Sequence, residues 1–227
     1  MNAFILAGGL STRMGRDKAL LEFRGRPLIE HALDKLRTLG FSPRIAGTRP
    51  DLASWAPIIP DNYPGSGPLA GIEAALSVSN SGLNLFLPVD LPLLPVEFLR
   101  WMALRAGKTS ALATIPYLQD HPQPLCAVYH RDLLPPLLSA LIAGDRKVMR
   151  VVENAAKKFC HPDRSAKRTV EGPAGRSLGS HLDRFDVEII SACVDFPAVP
   201  PVHRWFQNLN TLTDLQNAAL EQMPFIQ

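Results

Sequence analysis

The sequence predicts a three-layer αβα fold, with helices on both faces of a mostly parallel central sheet. Short apolar runs that are typical of buried strands alternate in the first half of the chain with amphipathic segments of helical length. Strands that alternate with helices in this way are joined by right-handed crossovers, which make neighbouring strands parallel. An α/β sheet in a chain of 227 residues is commonly one domain, so we expect a single domain over residues 1–227.

The boundaries of the elements carry recognisable signals. The helix predicted over residues 27–39 has Pro27 at its start and Gly40 just after its end, which is the usual asymmetry of helix termini. The apolar run 83–88 is typical of a buried central strand. In chain order, strands are predicted over residues 3–6, 44–46, 57–59, 83–88, 111–115 and 125–129. Helices are predicted over residues 27–39, 67–78, 95–106, 131–142 and 213–220.

Two segments of the second half depart from regular patterns. Pro135 and Pro136 lie inside the helix predicted over 131–142, where they either occupy its first turn or break it. Residues 161–182 are rich in Arg, Lys, Ser, Gly and Pro, and contain few large apolar side chains. This composition predicts a long basic loop that is mobile or is ordered only by substrate.

Composition narrows the classes of partner. A formal net charge of +3 suits an acidic small molecule and is too small for a nucleic-acid-binding surface. The first residues do not form a signal peptide and no apolar stretch is long enough to span a membrane, so we expect a cytoplasmic protein. The cysteines are Cys126, Cys160 and Cys193, whose wide spacing predicts buried thiols and no zinc site.

Three chemical features come directly after predicted strands. They are the Gly8-Gly9 pair, Asp61 and Asp90. Ligands of parallel α/β sheets bind beyond the carboxyl ends of the strands, and these ends lie along one edge. A glycine cradle and two carboxylates at one edge predict a cleft that suits a metal nucleotide.

The glycine-rich loop after the first strand is the most informative motif. Backbone N–H groups at Gly8 and Gly9 can approach a polyphosphate, while Arg13 and Lys18 neutralise its charge. The P-loop pattern does not fit, because Gly15 is followed by Arg-Asp and not by Lys-Ser or Lys-Thr. The dinucleotide fingerprint G-x-G-x-x-G is absent as well.

Residues 6–21 follow the pattern L-A-G-G-x-S-x-R-M-G-x-D-K-x-L-L, and residues 25–28 continue it with G-x-P-L. This pattern resembles the signature of nucleotidyltransferases with a Rossmann-like fold, and in particular that of the MobA-like molybdenum cofactor guanylyltransferases. The resemblance is strong over residues 3 to about 154 and sparse in the tail. It implies transfer of GMP from GTP to the phosphate of molybdopterin or its molybdenum form, with release of pyrophosphate.

The resemblance also implies which residues meet the nucleotide. Lys18 and Arg13 would bind the triphosphate and stabilise the charge that develops on it, and Asp90 would coordinate Mg²⁺ between nucleotide and acceptor. The G-P-L-A-G segment that begins at Gly67 would lie by the base, and it favours GTP over CTP. The residues implied at the nucleotide are Leu6, Ala7, Gly8, Gly9, Lys18, Asp61, Gly67, Pro68, Leu69, Ala70, Gly71 and Asp90. Asp17 either pairs with Lys18 or Arg16 or caps a turn.

The acceptor side is matched by fewer residues. His121, Asn208 and Asn210 resemble residues that the family places at the acceptor, although Asn residues near a helix start can also be caps. Leu212 and Thr213 replace the proline and glutamate of the family pattern. At the end of the second strand, Ala46-Gly47-Thr48 stands where the family often has an asparagine.

Three functions remain open at this stage. The first is guanylyl transfer with Mg²⁺ as cofactor, GTP and molybdopterin as substrates, and docking to molybdenum cofactor insertion proteins. The second is the same chemistry with CTP, or with a sugar or polyol phosphate as acceptor. The third is a nucleotide-binding protein that does not catalyse the transfer.

Overall fold

The computed structural model describes residues 1–7, 17–118, 121–159, 187–191, 204–207, 209, 214–215 and 218. The strands in this part of the chain are β1 (Asn2–Leu6), β2 (Glu22–Phe23), β3 (Arg26–Pro27), β4 (Arg44–Ala46), β5 (Ile58–Ile59), β6 (Leu83–Pro88), β7 (Ala113–Leu118), β8 (His121–Pro122), β9 (Ala127–His130) and β10 (Val187–Ser191). The α-helices are α1 (Leu28–Thr38), α2 (Pro68–Ser77), α3 (Val96–Ala106), α4 (Leu134–Ile142) and α5 (Val148–Phe159).

The central sheet is mostly parallel. Its strands lie in the order β10-β7-β9-β6-β1-β4-β5, and β8 pairs with β7 at the side of this row. β9 runs antiparallel to both of its neighbours and β8 runs antiparallel to β7, whereas the other pairs in the row are parallel. The short β2 and β3 form a separate two-stranded ribbon.

Helices pack on both faces of the sheet because side chains alternate along each buried strand. On β1, Ile5 belongs to a core with α1 and α3, whereas Phe4 belongs to a second core with α2, α4 and α5. Leu85 and Phe86 divide in the same way on β6. The two cores on opposite faces confirm the predicted three-layer αβα fold.

Several elements differ in extent from the prediction. The helix predicted over 131–142 begins as a 3₁₀ turn at Arg131–Leu133 and continues as α4, with prolines in the first turn of the α-helix. Prolines are tolerated there because the first N–H groups have no partner inside the helix. α5 was not predicted from the sequence. Residues 161–182 lie outside the described residues, and of residues 213–220 only Asp214, Leu215 and Ala218 are described.

Two further expectations bear on the described chain. Cys126 is a buried free thiol, as predicted, and burial raises its pKa; Cys160 and Cys193 lie outside the described residues. None of the helices in the described part of the chain has both the length and the apolar character needed to cross a membrane.

Candidate active site

The carboxyl ends of four neighbouring strands are level with one another. Leu6 of β1 pairs with Pro88 of β6 and with Ala46 of β4, and Ala46 pairs in turn with Ile59 of β5. The residues that follow these strands therefore share one edge of the sheet. This arrangement places Ala7, Asp61 and Asp90 along the edge of the sheet where the sequence predicts a ligand cleft.

Lys18 and Asp90 meet at this edge. The Lys18 Nζ donates to Asp90 Oδ2, and the two side chains are only 22% and 15% exposed. Lys18 opens a short 3₁₀ helix, Lys18–Leu20, and Asp17 caps it by accepting a hydrogen bond from the Ala19 N–H at 3.0 Å. Of the alternatives open for Asp17, the structure therefore shows a helix cap.

Asp90 retains one carboxylate oxygen without a hydrogen-bond partner in the described chain. This atom, Oδ1, is buried. Buried carboxylate oxygens are usually hydrogen-bonded, so an unpaired one at a cleft is a candidate ligand for a cation. The backbone of Asp90 is fixed from the other end of the chain, because its carbonyl accepts from the N–H of Leu209 at 3.2 Å.

Asp61 presents a second buried, unpaired oxygen at the same edge. Its Oδ1 has no hydrogen-bond partner among the described residues, and its own N–H donates to Thr48 Oγ1 at 3.0 Å. Burial raises the pKa of the Asp61 carboxyl, and a backbone hydrogen bond from Thr48 opposes that shift. Because three strand spacings separate β6 from β5, Asp90 and Asp61 stand roughly 14 Å apart along the edge.

A buried glutamate on α2 accepts hydrogen bonds from Asn62, the residue after Asp61. Glu73 on α2 is 2% exposed, and Asn62 Nδ2 donates to its Oε1 and Oε2 at 3.3 and 3.1 Å. Burial raises the pKa of Glu73; the hydrogen bond from Asn62 opposes that shift, and the nearby Asp61 charge adds to it. Glu73 was not singled out from the sequence. It lies in an apolar helix, and its contact with Asn62 is seen only in the folded structure.

The segment predicted to lie by the base, residues 67–71, forms the start of α2 and the residue before it. Gly67 has a φ of +68°, which favours glycine, and Pro68 is the first residue of α2. A methyl group at Gly71 would lie 3.4 Å from Leu6 Cδ2 and 3.7 Å from Asp61 Oδ1. The start of α2 therefore touches both the end of β1 and the Asp61 carboxylate.

Arg49 is a second residue that sequence reasoning missed. Its side chain is 4% exposed, and it donates to the Ala7 carbonyl oxygen at 3.1 Å and to Asp17 Oδ2. It also donates twice to Asp51, at 2.9 and 2.6 Å. No pattern in the sequence links Arg49 to Asp17, which lies 32 residues earlier in the chain.

The remaining predicted residues are placed only in part. His121 is exposed in β8 and pairs with Leu118, which ends β7 at the same edge of the sheet as Asp90 because β7 runs in the direction of β6. Gly8, Gly9, Arg13, Asn208 and Asn210 lie outside the described residues. In the described part of the chain, no group of three or more His, Cys, Asp or Glu side chains is arranged to hold a metal ion.

A mostly parallel sheet between two layers of helices, with a lysine and two half-buried carboxylates at its carboxyl edge, gives the protein the α/β architecture of the Rossmann-like folds. The family described as the MobA-like NTP transferase domain matches residues 3–159. The chain belongs to this family of nucleotidyltransferases.

Named relatives agree with this assignment. The chain is 38% identical over 154 residues to a probable molybdenum cofactor guanylyltransferase of Deinococcus radiodurans, a match that covers 65% of this chain and 77% of the relative. It is 34% identical over 161 residues to a molybdenum cofactor guanylyltransferase of Vibrio cholerae, covering 69% and 76%. Among solved structures, molybdopterin-guanine dinucleotide biosynthesis protein A of Archaeoglobus fulgidus has a TM-score of 0.64 and 25% identity, covering 96% and 97%.

Proposed function

We propose that this protein transfers GMP from GTP to the terminal phosphate of molybdopterin, or of its molybdenum form, in a reaction that depends on Mg²⁺. The family supplies the class of reaction, and the names of the relatives at 34 and 38% identity supply the donor and the acceptor. The contact between Lys18 and Asp90 at the carboxyl edge of the sheet is the observation that carries the proposal.

The chemistry requires charge neutralisation above all. An oxygen of the acceptor phosphate forms a bond to the α-phosphorus of GTP, while the bond from the α-phosphorus to the bridging oxygen breaks. The bonding electrons leave with pyrophosphate. Both reactants are anions, so a fixed cation at the α and β phosphates supplies most of what a protein can contribute. We assign this charge-neutralising role to Lys18.

The Asp90 carboxylate fits a magnesium ion. Its buried Oδ1 is unpaired in the described chain, and Mg²⁺ is commonly bound by one or two carboxylates together with substrate phosphates and retained waters. When bound, Mg²⁺ would add positive charge beside the α-phosphate. Asp90 would hold the ion and keep Lys18 in place.

The Asp61 side of the cleft suits the nucleoside. The carboxylate oxygen buried there can accept a hydrogen bond from a base or ribose donor, and the start of α2 lies directly beside it. Asp61 and Asp90 lie roughly 14 Å apart along the sheet edge, so one extended nucleotide can reach from one to the other. The G-P-L-A-G segment supports guanine as the base.

Pyrophosphate release tests the proposal. The purified protein would be assayed with GTP, CTP, ATP and UTP in turn, with molybdopterin or with sugar phosphates as acceptor, with and without Mg²⁺. We expect release only with Mg²⁺, fastest with GTP and molybdopterin. Fastest release with CTP, or with a sugar phosphate, would favour the corresponding transferase. The absence of Mg²⁺-dependent release from every pair would refute the proposal.

An Asp90→Asn variant tests the role of the carboxylate. We expect kcat to fall about 10²- to 10³-fold, since charge stabilisation of the transferring group is lost. The control is Asp132→Asn. Asp132 is 69% exposed, and it contacts His130, which lies at the opposite edge of the sheet from Asp90 because it pairs with the first residue of β6. Full activity in Asp90→Asn would contradict the proposed role.

A further inference from the structure

Arg49 joins two segments that flank the candidate active site. Its guanidinium contacts the carbonyl oxygen of Ala7, which follows β1, and the carboxylate of Asp17, which precedes Lys18. Asp51 takes up two of the remaining N–H groups. An almost fully buried guanidinium is stable only when its donors are paired, so these contacts define its orientation.

The backbone around Arg49 is itself fixed to the sheet. Gly47 follows β4 with a φ of +132°, and its N–H donates to the carbonyl oxygen of Ile59 at 2.9 Å. The Arg49 N–H donates back to the Gly47 carbonyl at 2.9 Å, and a short 3₁₀ helix begins at Pro50. Arg49 therefore projects from a rigid turn on the sheet edge.

Asp17 connects this turn to Lys18. One of its carboxylate oxygens accepts from Arg49, and the other accepts from the Ala19 N–H and so caps the short helix that carries Lys18. A carboxylate next to a lysine can also pair with that lysine's ammonium. In the structure, Arg49 and the Ala19 N–H each contact one oxygen of Asp17, and the Lys18 ammonium contacts Asp90.

We propose that Arg49 is a positioning residue that holds Lys18 at the cleft through Asp17. Arg49 makes no described contact with Lys18 or Asp90, so its effect on the site passes through the Asp17 cap. The consequence for turnover depends on the proposed function. The consequence for Lys18 itself does not, and it is tested separately.

The reactivity of Lys18 is the first test. The protein would be labelled briefly with acetic anhydride, and the extent of modification at Lys18 would be compared by mass spectrometry with that at the exposed Lys108. We expect the Lys18/Lys108 ratio to rise severalfold in Arg49→Lys and in Asp17→Asn, because either change weakens the contact that holds Lys18 against Asp90 and so exposes its amine. In Arg49→Lys the contact is weakened because lysine cannot reproduce the forked contacts of arginine. Arg37→Lys is the control, since Arg37 is half-exposed and contacts the Trp55 carbonyl away from the cleft.

The double variant Asp17→Asn with Arg49→Lys decides whether the two residues act together. If Arg49 acts through Asp17, the double variant has about the same ratio as each single variant. Additive increases, or an unchanged ratio in the folded Arg49→Lys protein, would overturn the proposal. Asp17→Asn keeps the buried arginine, so it tests the same contact if Arg49→Lys fails to fold.

Turnover gives the second test. We expect kcat to fall about 10- to 100-fold in Arg49→Lys, the cost of displacing a catalytic group by a fraction of an ångström to one ångström. Asp17→Asn should lose a similar factor, and the double variant no more than the larger single loss. An inactive wild-type protein would refute the proposed function alone, whereas an active wild type with an equally active Arg49→Lys would refute the positioning role alone.

Discussion

Lys35 shows how a single buried charge is held close to the site. Its ammonium donates to the Pro92 carbonyl oxygen at 2.8 Å, two residues after Asp90. Burial lowers the pKa of Lys35 to about 8, with Arg26 adding to the shift and with Asp34 and Glu97 opposing it. The charged form is therefore less favourable in the folded protein than in the unfolded chain.

This shift predicts a pH dependence of stability. Between the folded pKa of about 8 and the unfolded value near 10.5, the unfolded chain binds more protons at Lys35, so stability rises with pH in this window. We expect the free energy of unfolding of the wild type, minus that of Lys35→Met, to increase by up to roughly 3 kcal/mol from pH 7 to pH 10. Urea unfolding at several pH values measures it. A difference that is constant or falls with pH would contradict the shift.

At the residue scale, the residues proposed to bind the ligand were predicted from the sequence, and the buried residues that hold them in place were not. Lys18 and Asp90 belong to motifs that follow predicted strands, and the parallel sheet explains why both motifs lie at one edge, whereas the contact between the two side chains is seen only in the structure. Arg49 and Glu73 lie in segments without a motif. Their partners are distant in the chain, at Asp17 and Asn62, and only the packed fold brings them together. Their roles stay proposals, as do those of Lys18 and Asp90.

At the scale of the element, α2 approaches both the end of β1 and Asp61 at Gly71. A Gly71→Ala methyl would make ordinary contacts with Leu6 and the Ala46 carbonyl, and would lie 3.7 Å from the unpaired Asp61 Oδ1. Alanine also has a higher helix propensity than glycine. The substitution should therefore affect the fold and the cleft in opposite directions.

We expect Gly71→Ala to raise the free energy of unfolding by up to about 1 kcal/mol. We expect it to weaken GTP binding about tenfold, because the methyl covers the carboxylate oxygen proposed to receive the nucleoside. Thermal unfolding and calorimetric titration measure the two effects. Ser77→Ala, at the opposite end of α2, should leave affinity unchanged. Unchanged affinity in Gly71→Ala would place the nucleoside elsewhere.

Two aromatic residues of the tail, Trp205 and Phe206, pack on α3. Trp205 and Phe206 are 4% and 5% exposed, with their rings 5.7 and 5.5 Å from that of Phe98. Three residues after Phe206, the Leu209 N–H donates to the Asp90 carbonyl. A contact far along the chain from the N-terminal motif thus stabilises the loop that carries Asp90.

Trp205→Ala should lower the free energy of unfolding by about 3 to 5 kcal/mol, the usual cost of deleting a buried aromatic side chain. Leu104→Ala is the matched control on α3, because Leu104 is 62% exposed, and its change should stay within about 0.5 kcal/mol. Urea unfolding followed by circular dichroism measures both. A loss in Trp205→Ala as small as that of the control would show that the segment is not docked on α3.

The helices and strands that were predicted from the sequence are those with a clear apolar period and clear end signals. The strands and helices of the first half have apolar periods bounded by Gly, Pro or Asp, and the structure confirms their order with shifts of a few residues at their ends. α5 was missed even though its buried residues, such as Val151, Val152 and Ala155, recur at helical spacing. β9 was predicted as a strand, but its antiparallel direction depends on the tight connection after β8, which a linear pattern does not encode.

At the scale of the whole molecule, the cleft is assembled from segments that are far apart in the sequence. The carboxyl ends of β1, β4, β5 and β6 lie at one edge of the sheet, and Leu209 donates to the carbonyl of Asp90, which follows β6. A ligand that reaches from Asp61 to Asp90 would connect these segments across four strands. Such a ligand binds only the folded chain, and so it must raise the melting temperature.

The size and selectivity of that rise test the complete arrangement. At a ligand concentration of 100 times Kd, binding adds about 2.7 kcal/mol, which corresponds to roughly 5 to 10 °C for a chain of this length. We expect the largest shift with GTP and Mg²⁺ together, a smaller one with GTP alone, and little change with Mg²⁺ alone. In Asp90→Asn, the rise in melting temperature caused by GTP alone should remain, since Asp61 and α2 are intact. The additional rise that depends on Mg²⁺ should be lost. Equal shifts for all four triphosphates, whether or not Mg²⁺ is present, would mean that the cleft attracts phosphate without selecting the base or using the ion.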